Sequence, residues 1–365
     1  MPMITTASNS EHTYHVAPNG NDSNSGLSGK PWATIQHAAD VVNPGDTVIV
    51  ADGTYAETVA ITRGGTSSSP ISFRAENKWK ATIAPQSTAG NSNYTLYFSR
   101  ASYVTVRDFE ITGTPDTAAA VKFDSGTNNV VIGNNIHSVG VSTSKCLSGA
   151  GILIADNNET VDGNLIWNVG PPRSAKFRCN QQHGIYIAAG TGGKVQNNIV
   201  SGIWQGYGIH LDGVGLSAWI VANNTVINSG DNAHNTGGPF IFSCGGGTCD
   251  NNVFVNNLFS QTQGGRCFWE FPGKGKLGNH NSYTNNLTHN CGTQDWITGS
   301  GKEQKSSDPQ FRNYTGGPDG DYHLKSGSPA IDAGTPVNAP ATDFDGTQRP
   351  QLAGFDIGAY EATAP

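Results

Sequence analysis

Between His183 and Asn224 one short pattern of apolar and other residues is written twice: Gly-Ile-x-hydrophobic, a glycine-containing turn, then a Val-rich segment ending in Asn-Asn. Alternation with a period of two predicts strands, because successive side chains point to opposite faces. Ile185 and Ile187, then Ile209 and Leu211, fall on the inner face, which leaves Tyr186, His210 and Asp212 outside. An Asn recurs at Asn135, Asn164, Asn198, Asn224, Asn257 and Asn286, with spacings by subtraction of 29, 34, 26, 33 and 29. A period of that length built only from strand-like pieces predicts a solenoid in which each repeat is one coil. An Asn buried at a turn would hydrogen-bond the Asn of the next coil at a strand spacing of roughly 4.8 Å. Tyr186 and His210 then occupy equivalent outward positions on adjacent coils, with Leu153 and Lys122 below them. His183 precedes the first of these strands and Tyr207 the second.

The chain starts with a different texture. Residues 31–41, Pro-Trp-Ala-Thr-Ile-Gln-His-Ala-Ala-Asp-Val, are the best amphipathic helix candidate, with Trp32, Ile35, Ala39 and Val42 on its apolar face. A solenoid end exposes core and unpaired strand edges, so a covering helix is expected there. The expected organisation is a tag or leader remnant without fixed structure over 1–13, the solenoid with its N-terminal cap over 14–300, and a capping segment packed on it over 301–365. Asp332, Asp343, Asp345 and Asp356 lie among Gly and Pro, where they would cap turn amides or hold calcium.

Composition narrows the function classes. A net charge of −7 argues against nucleic acid as a partner. No apolar run reaches the length needed to cross a bilayer, so no membrane partner is expected. The six cysteines favour export, with Cys146 paired to Cys179, Cys244 to Cys249 and Cys267 to Cys291, and zinc as the rival explanation. The chain is expected to be secreted, extracellular or periplasmic, with its leader absent from this sequence, and to act as a monomer.

Two sets of motifs carry a resemblance. Ala-Pro-Asn-Gly-Asn-Asp-Ser-Asn-Ser-Gly (17–26), Trp-Ala-Thr-Ile-Gln-His-Ala-Ala-Asp (32–40), Pro-Gly-Asp-Thr-Val (44–48) and Asp-Gly-Thr-Tyr (52–55) resemble the opening of secreted right-handed parallel β-helix proteins, in particular pectate, alginate and chondroitin lyases. Ser-Pro-Ala-Ile-Asp-Ala-Gly (328–334), Asp-Gly-Thr-Gln-Arg-Pro (345–350) and Asp-Ile-Gly-Ala-Tyr-Glu (356–361) resemble a C-terminal module of exported bacterial β-helix proteins. The resemblance implies an all-β, right-handed parallel β-helix acting on polysaccharide. These residues build turns and caps and do no chemistry, so they speak to fold more than to reaction.

Chemistry in such a fold sits on outward strand positions and the long loops beside them. His183, Tyr186, His210 and Asp212 are the candidate catalytic residues. Arg173, Lys176, Arg178, Tyr207, His234, Trp269 and Glu270 are the candidate substrate-binding residues. The set suits β-elimination from an anionic uronic acid polysaccharide: His210 or His183 as base, Tyr186 or Tyr207 as acid, Lys176 or Arg178 at the carboxylate. A uronate C5-epimerase would use the same groups. Hydrolysis needs two carboxylates, for which Asp212, Asp231 and Glu270 are candidates. A non-catalytic carbohydrate binder would use Trp204, Trp219 and Trp269 as stacking platforms. No Asp-Asp-x-x-Asp cluster of the calcium-dependent pectate lyases occurs, so no metal ligands are assigned at this site, and no cofactor is expected beyond an optional calcium.

Overall fold

The computed structural model describes residues 12–86, 93–144, 146, 149–230, 237–260, 266–291 and 305–364. The repeats form a right-handed parallel solenoid of about nine turns. Three parallel sheets of ten, ten and eight strands run along it. One coil shows the plan: Thr191–Gln196 in the first sheet, Ile199–Ser201 in the second, Gly206–Val214 in the third. The third, eight-stranded sheet carries the site and is called the wall below.

Inside the wall, in-register pairing stacks like on like. Ile154, Ile187, Leu211 and Phe242 pair in succession, beside a second file of Ile152, Ile185, Ile209, Phe240 and Phe268. All nine are fully buried or nearly so. Burying each such side chain contributes about 1.5–3 kcal/mol, so a one-residue slip would expose both files and is strongly disfavoured.

Between the first and second sheets the chain turns in two residues. The first adopts a left-handed conformation (Gly133, Gly163, Asn197, Asn223, Asn256 and Asn285, all at positive φ), which Gly and Asn tolerate best. The second is a buried Asn. Asn164 donates its backbone N–H and its side-chain amide to Asn198 Oδ1, both at 3.0 Å. The same two bonds join Asn198 to Asn224, Asn224 to Asn257 and Asn257 to Asn286. The lowest rung is Asn134, bonded to Asn164 in the same way, and not Asn135. Gly133 takes the left-handed position there, which leaves Asn135 as the first strand residue, accepting from Trp167 Nε1. At another corner Asn129 and Asn252 play a similar part, but there Glu159 holds Asn129. Burial pushes the Glu159 carboxyl up to about 8.

The one helix among the described residues, Ile35–Val41, starts at Thr34, whose side chain accepts from the His37 N–H, and buries Ile35, Ala38 and Ala39 in the solenoid core with Trp32 and Val42. Its first free amides, Ile35 and Gln36, donate to the Glu57 carboxylate. The C-terminal residues lie on the outside of the second sheet. Phe311, Tyr322, Leu324, Ile357 and Ala359 pack there on Leu165, Ile199, Leu258 and Leu287. The left-handed Asn row ties them down, as Asn197, Asn223, Asn256 and Asn285 donate to the carbonyls of Thr342, Asp356, Thr335 and Ala333. The buried Arg349–Glu361 pair, 2.6 Å, locks the segment. Three of the four aspartates accept from backbone amides, Asp332 from Gly354, Asp343 from Asp345 and Thr347, and Asp356 from Asp332, while Asp345 pairs with His323.

Disulfides join Cys146–Cys179, Cys244–Cys249 and Cys267–Cys291. Among the described residues no helix is long and apolar enough to cross a membrane.

Replacing Asn224 by Ala removes the acceptor of the buried Asn198 N–H and the side-chain donor to the Val195 carbonyl, at about 1–3 kcal/mol per unsatisfied group, while the backbone N–H at 224 still donates to Asn257. The expected outcome is a clear drop in the urea midpoint. A loss within about 0.5 kcal/mol, the scale of surface substitutions, would remove the ladder as a stabilising element.

Candidate active site

The outward file on the wall runs Tyr97, Lys122, Leu153, Tyr186, His210, Ile241, Trp269, each the register partner of the next. Tyr186 and His210 are thus neighbours, their rings stacked at 4.9 Å and 20°. His183 and Tyr207 also pair, one strand apart, and lie within the strands Gln182–Ala189 and Gly206–Val214 rather than ahead of them. Glycine explains why both face outward although two residues away from inward Ile185 and Ile209. A Cβ on Gly184 would lie 2.4 Å from Val200 Cγ1, and one on Gly208 2.2 Å from Val226 Cγ1. The interior side of the strand start is taken by these two glycines, so the residue before each is turned out.

His183 is buried at 4% exposure and forms the floor of the site. Its Nδ1 accepts from the Tyr207 backbone N–H at 3.4 Å, and its Nε2 lies 3.1 Å from His210 Nδ1. His210 Nε2 lies 3.4 Å from Ser243 Oγ, and the Ser243 hydroxyl donates to the Leu211 carbonyl at 3.3 Å. Tyr186 donates to the Asp212 carbonyl at 3.3 Å. Burial, reinforced by His210, holds His183 well below the usual histidine range, and burial lowers His210 to about 3. Both imidazoles are neutral at neutral pH. Burial also raises Tyr186, with the Asp212 charge adding to it, and pushes Tyr207 up to about 12 against the opposing pull of Arg266.

Above the histidine a cleft of about 390 Å³ opens between the wall and its loops. Tyr207, His210, Asp212, Ile241, Ser243 and Trp269 line it, with the exposed Phe271, Asn180 and Lys274 at the rim. Ser243, Asn180 and Ile241 escaped the sequence reading. The alternation Phe240-in, Ile241-out, Phe242-in, Ser243-out was the available signal.

Other expected residues fall elsewhere. Glu270 follows Phe242 in the inward file, at the open end of the column, where Tyr283 donates to its carboxylate at 2.5 Å. It faces away from Asp212, and burial pushes it up to about 7. The expected Asp212–Glu270 pair across the cleft is therefore not formed. Trp219 is fully buried, its indole donating to the Gly190 carbonyl, and is no sugar platform. Trp204 lies under Arg173 at 5.7 Å, and Trp269 under Arg266 at 4.6 Å. Arg173, Lys176 and Arg178 are exposed on the loop held by Cys179, whose N–H donates to Gln205, and none of the three lines the cleft. His234 and Asp231 lie outside the described residues. Among the described residues no group of three His, Cys, Asp or Glu is arranged to hold a metal.

Comparison with known proteins places the first coils. Residues 14–170 match the family of the Pel9A-like, right handed beta helix region. That stretch ends before His183, so the site lies beyond it. The uncharacterized protein YwoF of Bacillus subtilis (strain 168) is 31% identical over 137 residues, 35% of this chain and 29% of that protein. Pectate lyase L of Dickeya dadantii (strain 3937) is 30% identical over 105 residues, 26% of this chain and 25% of that protein. The chain thus matches under a third of the length of either relative. The crystal structure of pectate lyase Pel9A superposes with a TM-score of 0.62 at 16% identity, covering 97% of both chains. A solved structure described as a glycoside hydrolase superposes with a TM-score of 0.56 at 10% identity, covering 80% of this chain and 88% of its own. At such identities the likeness is one of fold, and the fold hosts both reactions.

The neutral histidines set a pH dependence. Their folded pKa values lie below the unfolded value of about 6.5, so below that pH the unfolded chain binds protons that the folded one refuses. Stability is then full above about pH 6.5 and falls toward pH 3, by up to about 1.4 kcal/mol per pH unit for each histidine. Urea midpoints at pH 7 and pH 5 are expected to differ less in His210→Gln than in the wild type. An unchanged difference would mean that His210 titrates freely in the folded protein.

Proposed function

We propose that this protein is a polysaccharide lyase that cleaves an acidic, uronic acid-containing polymer by β-elimination. The observation that carries the reading is the gathering of His210, Tyr207, Asp212, Ser243 and Lys274 around one open cleft on the outer wall of the solenoid. Elimination has three requirements: charge stabilisation at the uronate carboxylate, a group that takes the proton from the adjacent carbon, and a group that protonates the leaving oxygen. Lys274, at the rim, suits the carboxylate better than Lys176 or Arg178, which do not line the cleft. Tyr207, kept as a neutral phenol by burial, suits the leaving oxygen. His210 and Asp212 are the two lining groups that suit proton transfer from carbon. Trp269 and Phe271, 5.5 Å apart, offer a face for a sugar ring.

Similarity to pectate lyase L over 105 residues points the same way. Hydrolysis calls for a second carboxylate, and Asp212 is the one carboxylate among the described residues that line the cleft. A C5-epimerase would use the same groups and differ in returning the proton to carbon. Three disulfides suit an oxidising, extracellular or periplasmic location.

Incubation with a panel of uronate and neutral polymers tests this. An ultraviolet-absorbing unsaturated product from a uronate polymer is the expected result. Reducing ends without absorbance would make the protein a hydrolase, and binding without either would make it a carbohydrate-binding module. His210→Ala is expected to lower kcat/KM at least about 100-fold with little change in the melting temperature, and Lys274→Ala to raise KM for charged polymer.

A further inference from the structure

We propose that His183 is a positioning residue that locks His210 as the Nε2–H tautomer, so that His210 offers the cleft a hydrogen-bond donor and Asp212 is the group that takes the proton. The inference rests on the lyase reading for its second half only. Its first half follows from one direction of hydrogen bonding. A backbone N–H can only donate, so the Tyr207 amide fixes a lone pair on His183 Nδ1. A neutral imidazole carries one proton, which His183 must then hold on Nε2, facing His210 Nδ1 at 3.1 Å. His210 is turned in the same sense: Nδ1 accepts, and Nε2 holds the proton toward Ser243 Oγ at 3.4 Å. Ser243 gives its own hydrogen to the Leu211 carbonyl, leaving a lone pair toward His210. The reverse order would set an Nδ1–H of His183 against the Tyr207 N–H. Burial keeps both rings neutral and so keeps the chain of bonds intact.

A ring locked this way cannot accept a proton at the atom that faces the cleft. His210 Nε2–H instead bonds a substrate oxygen as negative charge develops on it. Elimination then balances as follows. The Asp212 carboxylate takes the proton from the carbon beside the uronate carboxylate, the electron pair forms the ring double bond, the glycosidic C–O bond breaks, and the Tyr207 hydroxyl gives its proton to the leaving oxygen. Asp212 lies beside His210 on the cleft lining and reaches the same space.

Nitrogen-15 imidazole spectra of the full chain read the tautomer without any substrate. The His210 signals, assigned by their loss in His210→Gln, are expected to report Nε2–H in the wild type. They should shift toward a mixture in His183→Leu and return in His183→Gln, whose amide restores a donor. An Nδ1–H form of His210 in the wild type overturns the proposal, and it does so even if His183→Leu fails to fold. In the active enzyme His183→Leu should lower kcat about 10-fold or more with little effect on KM, with rescue by His183→Gln. Asp212→Asn should lower kcat at least about 100-fold with the His210 tautomer unchanged, and retained activity would overturn the role given to Asp212. Failure of the lyase reading looks different: no uronate polymer yields an unsaturated product while the Nε2–H tautomer stands.

Discussion

The side-chain amide bonds between successive asparagines hold the register on which everything else depends. Each buried Asn offers one acceptor and two donors, and the next coil supplies partners at the strand spacing. Asn134, Asn164, Asn198, Asn224, Asn257 and Asn286 thus tie one coil to the next at the same corner. A slip along any strand would leave these groups buried and unpaired, which costs more than the bonds themselves contribute. The apolar files of the wall enforce the same answer independently, because a shift by one residue would turn Ile209 and Leu211 out and His210 in.

Fixed register explains how residues far apart in sequence become a site. His183, His210 and Ser243 come from three consecutive coils, and their hydrogen bonds form because strand pairing has already placed them. Two glycines, Gly184 and Gly208, then let His183 and Tyr207 turn outward from positions that simple alternation would turn inward, Tyr207 onto the cleft and His183 beneath His210. The loop between the second sheet and the wall supplies Asn180 at the rim, and the turn after the wall strand Phe268–Phe271 supplies Lys274. The Cys146–Cys179 disulfide anchors the first of these, next to Asn180. The scaffold is thus stiff where the rings are and variable where substrate would be recognised, a division common in solenoids.

Much of this was legible in the chain itself. The period-two alternation placed Ile185, Ile187, Ile209 and Leu211 inside and set Tyr186 beside His210, and the register agrees. The pairing of neighbouring cysteines is legible as well: Cys146–Cys179 and Cys267–Cys291 lie about one repeat apart, and Cys244 and Cys249 flank a single turn. The errors lie where the repeat is irregular. The Asn-Asn pattern makes Asn135 the expected rung, but Gly133 takes the left-handed place and the rung is Asn134. Glu270, a candidate carboxylate by spacing, falls on the inner side, because its strand continues the file of Phe240 and Phe242. Trp219, a stacking platform in the carbohydrate-binder alternative, fills a core space beside Gly193, where a Cβ would sit 2.5 Å from its ring.

By itself the sequence determined the repeat, the inward and outward faces of its regular strands, and therefore the fold and the wall on which chemistry would lie. These follow from local spacing, which parallel in-register stacking converts directly into position. Only the tertiary structure decided which outward residues share a cleft, that the loop cations do not line it, and that His183 lies beneath His210. Those facts depend on loop paths and on side chains meeting across coils, where no periodicity in the chain specifies the outcome.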